Sequence, residues 1–259
     1  MASNTSWEKI FDDYNILNHN FSKSPFEISA SQIKISCQDF KSPMEKEVRI
    51  LCKQDTRESR PEIFRKHNLF LLPKKNGSYY IVKGEGYVDI PKITTAVNNY
   101  KSKLDFKLES SAIGDSEMQH LYLAYASSLV RTFMNDDSLL LTIRGRKYTP
   151  GFSFKVGQQT LNVESVQTEV DAGYEGRDKI VLIEAKNSDV TNTIIRQLYY
   201  PYRQWKKQTS KDVYLLFFDR DKSSDIYNIW QFEFKDEEDY NSIRLVKSGK
   251  YRIIGPNSK

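Results

Sequence analysis

The chain has 259 residues, 39% of them hydrophobic and 28% charged, with 16 Tyr and 14 Phe, which is enough apolar and aromatic material for a packed core and excludes a disordered polymer. Its net charge of +5 fits a polyanionic partner without requiring one. Cys37 and Cys52 are its two cysteines, without metal-ligand spacing or a nearby histidine, so a zinc centre is excluded and a reduced, cytoplasmic protein is expected.

The opening MASNTSWEKIFDDYN lacks a basic region followed by an apolar one, and runs such as VYLLFF are far too short to span a bilayer, so no membrane contact is expected. From Ser29 onward the sequence predicts three short helices closed by a hairpin. Ser29 or Ser31 caps the first. The second starts at SPMEKEVRILCK, where Ser42, Pro43 and Glu45 stand as N-cap, first helical residue and capping-box partner, and Val48, Leu51 and Cys52 form an apolar stripe. The third starts at SRPEIFRKHN and runs into LFLLP and YYIVK, two strands around Asn76-Gly77, which is a hairpin signal.

That order is the order of a winged-helix module, in which the helix before the wing enters the DNA major groove. Here it carries Arg60, Arg65 and Lys66, and the hairpin tip carries Lys74 and Lys75; residues 41–83 hold eleven Lys or Arg against five Asp or Glu (11 − 5 = +6). These five cations are candidate DNA contacts. The alternative is a solvated charged face, the usual fate of a charge run.

Residues 91–112 are polar and weakly periodic, so the chain divides into a DNA-recognition part, 1–108, and a second part, 109–259. In the latter, GDSEMQHLYLAYASSLVRTFM predicts one long helix with Leu121, Tyr125, Leu129 and Phe133 on its buried side. Strands follow at SLLLTIRG, FSFKV, LNVESVQTEVDA and KIVLIEAK, then a helix through NTIIRQLYYPYRQWKKQ and the apolar strand DVYLLFFD. The last three elements form a β-helix-β unit, which requires parallel flanking strands. IYNIWQFEF and SIRLVKSGKYRII add further strands. The fold class expected is α+β or α/β: a small helical, winged-helix-like N-terminal domain and a C-terminal mixed sheet flanked by helices.

IVLIEAK is apolar until its end, where Glu184 and Lys186 stand two apart and share a face. Asp171 closes the preceding strand thirteen residues earlier, and a hairpin would bring it beside Glu184, with Glu169 two residues upstream. Two carboxylates that close repel unless a cation intervenes, and an all-oxygen set with room for waters favours magnesium over zinc. Taken as a chance tripeptide instead, Glu184 and Lys186 are an edge-strand ion pair worth roughly 0 to 1 kcal/mol.

These residues resemble the PD-(D/E)xK nucleases, whose signature is an acidic residue on one strand, a hairpin, and Asp or Glu-x-Lys on the next; Val170-Asp171 stands at the Pro-Asp position. SEMQHLYLAYASSL, EVDAGYEG, IEAK and RQLYYPYRQW together look like one group of bacterial type II restriction endonucleases. The resemblance implies a bacterial cytoplasmic, Mg2+-dependent enzyme that hydrolyses double-stranded DNA at specific sites as a homodimer. It implies Asp171 and Glu184 as metal ligands, Lys186 as the catalytic lysine, Glu117 as an additional acid and Gln197 as a residue that positions DNA. Competing expectations are a repair or recombination nuclease of the same superfamily and a catalytically inactive DNA-binding regulator.

Overall fold

A computed structural model describes residues 3–110, 113, 116–186, 190–221 and 223–255. Its first element was not expected: helix α1 (Asn4–Asp13), capped by the Ser3 side chain, buries Trp7, Ile10 and Phe11. Their i, i+3, i+4 spacing was the available signal. Strand β1 (Phe26–Ser29) leads into α2 (Ala30–Ser36), where Ser29 and Gln32 form a reciprocal capping box.

The helix expected from Ser42 is two single turns, α3 (Pro43–Lys46) and α4 (Val48–Leu51), broken at the extended residue Glu47. Ser42 caps through the Met44 amide, and the break turns Val48 and Leu51 into the cluster around Trp7. Helix α5 (Glu62–Lys66) precedes β2 (Leu69–Lys75) and β3 (Ser78–Lys83), which are joined through Gly77 at φ 76°. Three strands pair in the order β1-β3-β2. LFLL is unbroken because both faces of this hairpin are covered: Leu69, Leu71 and Ile81 pack with Trp7, while Phe70, Leu72, Tyr80 and Val82 belong to the core of the large sheet.

After β3, β4 (Tyr87–Asp89) and β5 (Asn98–Lys101) pair with later strands. The long helix expected at 116–134 is α6 (Glu117–Ala126) and α7 (Leu129–Met134), separated where Ser128 adopts φ 65°. The Ser127 carbonyl accepts from the Tyr100 hydroxyl at 2.8 Å, and the bend lets Leu121, Ala124, Leu129, Val130 and Phe133 all reach one cluster. Then come β6 (Leu140–Tyr148), the hairpin β7 (Phe152–Val156) and β8 (Gln159–Val163), β9 (Gln167–Glu175), β10 (Lys179–Lys186), β11 (Asn192–Ile194), α8 (Arg196–Gln208), β12 (Asp212–Asp221), β13 (Ile226–Phe234) and β14 (Ile243–Ile254).

Seven strands form the large sheet, in the order β5-β14-β13-β12-β10-β9-β6. β10 and β12 are parallel, joined by α8, while β9 runs antiparallel to β10. One sheet face packs against α8 and the β2–β3 and β7–β8 hairpins, the other against α6 and α7. The protein is thus a mixed α/β structure with helices on both faces of its main sheet. No helix among the described residues is long and apolar enough to cross a membrane.

Candidate active site

Alternation along β10 places Leu182 in the core under α8 and Ile183 and Ala185 in the core under α6 and α7, so Glu184 and Lys186 face the α8 side. On β9 the alternation slips. Val170 belongs to the α8-side core, and Thr168 donates to Gln204 of α8 at 2.7 Å, yet Ala172 and Tyr174 lie on the opposite face. Asp171 occupies the slip.

Asp171 does not close its strand, as expected from the sequence, but lies in the middle of β9, and what ends beside it is the pairing with β10. That ladder runs from Glu175–Ile180 to Ala172–Ile183 and stops, while β9 continues against β6 through Val170–Gly145. Where the strands part, an Asp171 carboxylate oxygen accepts from the Ala185 amide at 2.8 Å. The side chain replaces a backbone acceptor and is held between the two strands, next to Glu184.

Glu184 is 7% exposed and bonded to the Lys186 ammonium. Burial pushes its carboxyl up to about 7; Lys186 opposes the shift and the Asp171 charge adds to it. Burial also raises Asp171, against the Ala185 amide and Lys186, and the carboxylates of Glu117 and Glu169 push in the same upward direction. Burial works against the Lys186 ammonium, but the Glu184 carboxylate and its hydrogen bond outweigh it, so its pKa is raised and the lysine stays charged.

A cleft of about 330 Å³ opens onto this group. Asp171, Glu184, Lys186, Glu117 and Gln197 all line it, with Glu169, Thr168, Lys53, Asp55, Arg196 and Tyr200. Glu117 enters as the first residue of α6 and Gln197 from the first turn of α8, where its side-chain oxygen accepts from the Thr193 hydroxyl at 2.8 Å. Lys53 and Asp55 come from the N-terminal part, more than a hundred residues before Asp171 in sequence. The Asp55 carbonyl accepts from the Ile194 amide at 2.8 Å, and its carboxylate lies 3.8 Å from both Lys53 and Arg196. Asp55 carried no local signal, and Lys53 was one of the eleven cations of the 41–83 stretch without being singled out.

Among the described residues, no group of three or more His, Cys, Asp or Glu side chains is close enough together to hold a metal ion. The oxygen donors at the strand parting are two carboxylates, Asp171 and Glu184. That set fits magnesium, which takes one or two carboxylates and completes its shell with waters and substrate phosphate. A cation there would also relieve the repulsion that adds to each upward shift, from Asp171 on Glu184 and from Glu117 and Glu169 on Asp171.

The cations expected to meet DNA are spread out. Arg60 turns inward: its guanidinium donates to the carbonyls of Leu69 at 3.0 Å and Arg57 at 3.3 Å and stacks on Tyr87. Lys66 pairs with Glu62, Lys74 with Glu27 and Lys75 with Glu164, at 3.0, 2.8 and 3.2 Å, while Arg65 is exposed. Of these five, Lys75 alone lines a cavity adjoining the cleft.

Compared with known families, residues 82–252 match the model described as Domain of unknown function (DUF6997), and residues 4–81 match Domain of unknown function (DUF6996). No curated protein and no solved structure matches the chain.

Proposed function

We propose that this chain, which belongs to the DUF6997 family, is a magnesium-dependent endonuclease of the PD-(D/E)xK kind that cuts double-stranded DNA at specific sites, as type II restriction enzymes do. The observation that carries the reading is the junction at which β9 leaves β10: two carboxylates and a charged lysine converge in a cleft, and one carboxyl is raised to about 7 by burial. Perturbed titratable groups gathered in a cleft favour a functional site over a structural ion pair. The succession of α6, β6, β9, β10, α8 and β12, with α7, the β7–β8 hairpin and β11 lying between them along the chain, and the parallel pairing of β10 and β12 support assignment to that superfamily. The order α1–β1–α2 to β2–β3, with sheet order β1-β3-β2, supports a winged-helix-like reader.

Asp171 and Glu184 would hold the cation. Magnesium, when bound, supplies Lewis-acid polarisation of the scissile phosphoryl group and lowers the pKa of a water. Lys186 keeps its proton and points a donor into the cleft, where it orients the attacking water and stabilises charge that develops on phosphate. Glu117 adds a carboxylate to the cleft lining, close enough for its charge to act on Asp171, and the Gln197 side chain, fixed by Thr193, contributes a donor to substrate. Two copies acting on a symmetric site would cut both strands.

Digestion of phage-sized DNA in magnesium tests the reading. Discrete fragments are expected, absent in EDTA. Specific binding without nicking would replace the proposal by the inactive regulator, and fragments without sequence preference would replace it by a repair-type nuclease.

A further inference from the structure

The cleft does not end at the carboxylates. Lys53, Asp55 and Arg196 also line a second cavity of about 300 Å³ that runs to the Asn76-Gly77 tip of the β2–β3 hairpin, so the two form one continuous groove. The chemistry changes along it. Around Asp171 and Glu184 it is acidic, whereas the lining of the hairpin half carries Arg49, Lys53, Lys75 and Arg196 against the carboxylate of Asp55, with Glu164 beside Lys75 at 3.2 Å. Arg49 is exposed, the Lys53 side chain is 73% exposed, and that of Lys75 is 51% exposed in a solvent-facing pair with Glu164 of the weak surface kind, so these cations are within reach of a ligand rather than sealed inside.

From this we infer that the hairpin half of the groove binds the sugar-phosphate backbone of the DNA strand next to the scissile phosphate, with Arg49, Lys53 and Lys75 of the N-terminal part meeting the phosphates. The inference rests on the nuclease reading above and adds where the strand lies. Charge complementarity selects a polyanion: cations on the groove wall neutralise successive phosphates, and continuity with the cleft sets which phosphates they are.

The walls are fixed to each other. The Glu164 amide donates to the Lys74 carbonyl at 3.0 Å, the Tyr200 hydroxyl to the Pro73 carbonyl at 2.9 Å, and the Ile194 amide to the Asp55 carbonyl at 2.8 Å. The hairpin therefore cannot swing independently of α8, and the distance from these cations to the cut is set by the fold. Cleavage is accordingly expected inside the protected footprint, not at a remote position.

The test uses full-length protein in a Lys186→Ala background and follows binding of a duplex that carries the mapped cut site by fluorescence anisotropy, over a salt series. Adding Arg49→Ala, Lys53→Ala and Lys75→Ala should weaken binding to all sequences alike and make the slope of log affinity against log salt shallower by about 2.7, or about 0.9 for each phosphate left without its cation. Unchanged affinity and slope, with the parent enzyme still cleaving, would overturn the groove and leave the nuclease reading intact. A parent chain that neither binds nor cuts DNA in magnesium would overturn both. Lysine acetylation of unmutated protein gives a second readout that depends on no variant. With calcium in place of magnesium, the duplex should protect Lys53 and Lys75, and equal labelling with and without DNA would refute their place on the strand.

Discussion

Replacement of Glu184 by Gln separates the electrostatics of the cleft from its packing, because the amide keeps the shape and removes the charge. In the metal-free protein the Glu184 carboxyl titrates near 7 instead of 4.5, because it is buried beside Asp171. A folded-state pKa raised above the unfolded value means that ionisation opposes folding: the stabilising contribution is present at low pH and is lost as pH rises through about 7. The cost of the charged form is about 3 kcal/mol at pH 8 and under about 1 kcal/mol at pH 5, so the wild type should lose about 2 to 3 kcal/mol relative to Glu184→Gln between those values. The absolute offset between the two proteins also contains the loss of a partner for Lys186, and the pH dependence of the difference is therefore the quantity to read.

Urea unfolding in EDTA at pH 5, 6, 7 and 8 measures that difference. Added magnesium should then stabilise the wild type by about 2.7 kcal/mol at a hundred times its dissociation constant and leave Glu184→Gln nearly unchanged. Magnesium affinity should itself rise with pH up to about 7, since the ligand must lose its proton to bind. A stability difference that is flat from pH 5 to 8 would refute the buried, shifted carboxyl. Equal stabilisation of both proteins by magnesium would refute Glu184 as a ligand.

Lys186→Ala should abolish cleavage and preserve DNA binding, and a fully active variant would eliminate Lys186 as the catalytic lysine. Glu117→Ala, in the cleft lining, should lower the cleavage rate about tenfold with binding unchanged; a complete loss would make Glu117 an obligatory ligand. At Gly86, an added Cβ would overlap the buried Phe70 ring, while the Gly86 carbonyl accepts from the Ile195 amide at 3.0 Å. Gly86→Ala should therefore destabilise the protein by about 1 to 3 kcal/mol, read as a lower urea midpoint. An unchanged midpoint would show that the hairpin and α8 can separate freely.

Removing residues 1–105 cannot isolate the C-terminal part in its folded form. Phe70, Leu72, Tyr80 and Val82 lie in the same core as Leu198, Tyr199 and Tyr200, and β5 is an edge strand of the large sheet. Such a truncation exposes core and strips a strand, so a loss of binding would report unfolding. The polar stretch at 91–112 reads as a linker because β5, the strand within it, is short and its partner, Tyr251–Ile254, is remote in sequence. Short strands paired over long distances leave no local periodicity to read.

Other departures have similar physical causes. The helix at 116–134 reads as continuous because Leu121, Tyr125, Leu129 and Phe133 keep helical spacing; the bend at Ser128 depends on Tyr100, which binds the Ser127 carbonyl from another element. Asp171 reads as a strand end because the stretch that follows it, AGYEGRD, is polar and contains two glycines, as a turn does. Its position in the middle of β9 is possible only because β6 continues the pairing after β10 has left.

What the amino-acid sequence determined by itself was the chemistry available and the local frame that carries it: hard oxygen donors with a lysine, a hairpin at Asn76-Gly77, the capped helix at Ser29, and a parallel β-helix-β unit that puts Glu184 and Lys186 on one face. Those features follow from period, capping and turn residues, which act within a few positions along the chain. The tertiary structure alone decided that Lys53 and Asp55 stand beside Glu184, that Arg60 turns inward, and that the cleft continues as a basic groove to the hairpin tip. It also decided that one carboxyl titrates near 7. Burial, and the meeting of charges from opposite ends of a chain, exist only after the chain has closed on itself, and no window of sequence contains them.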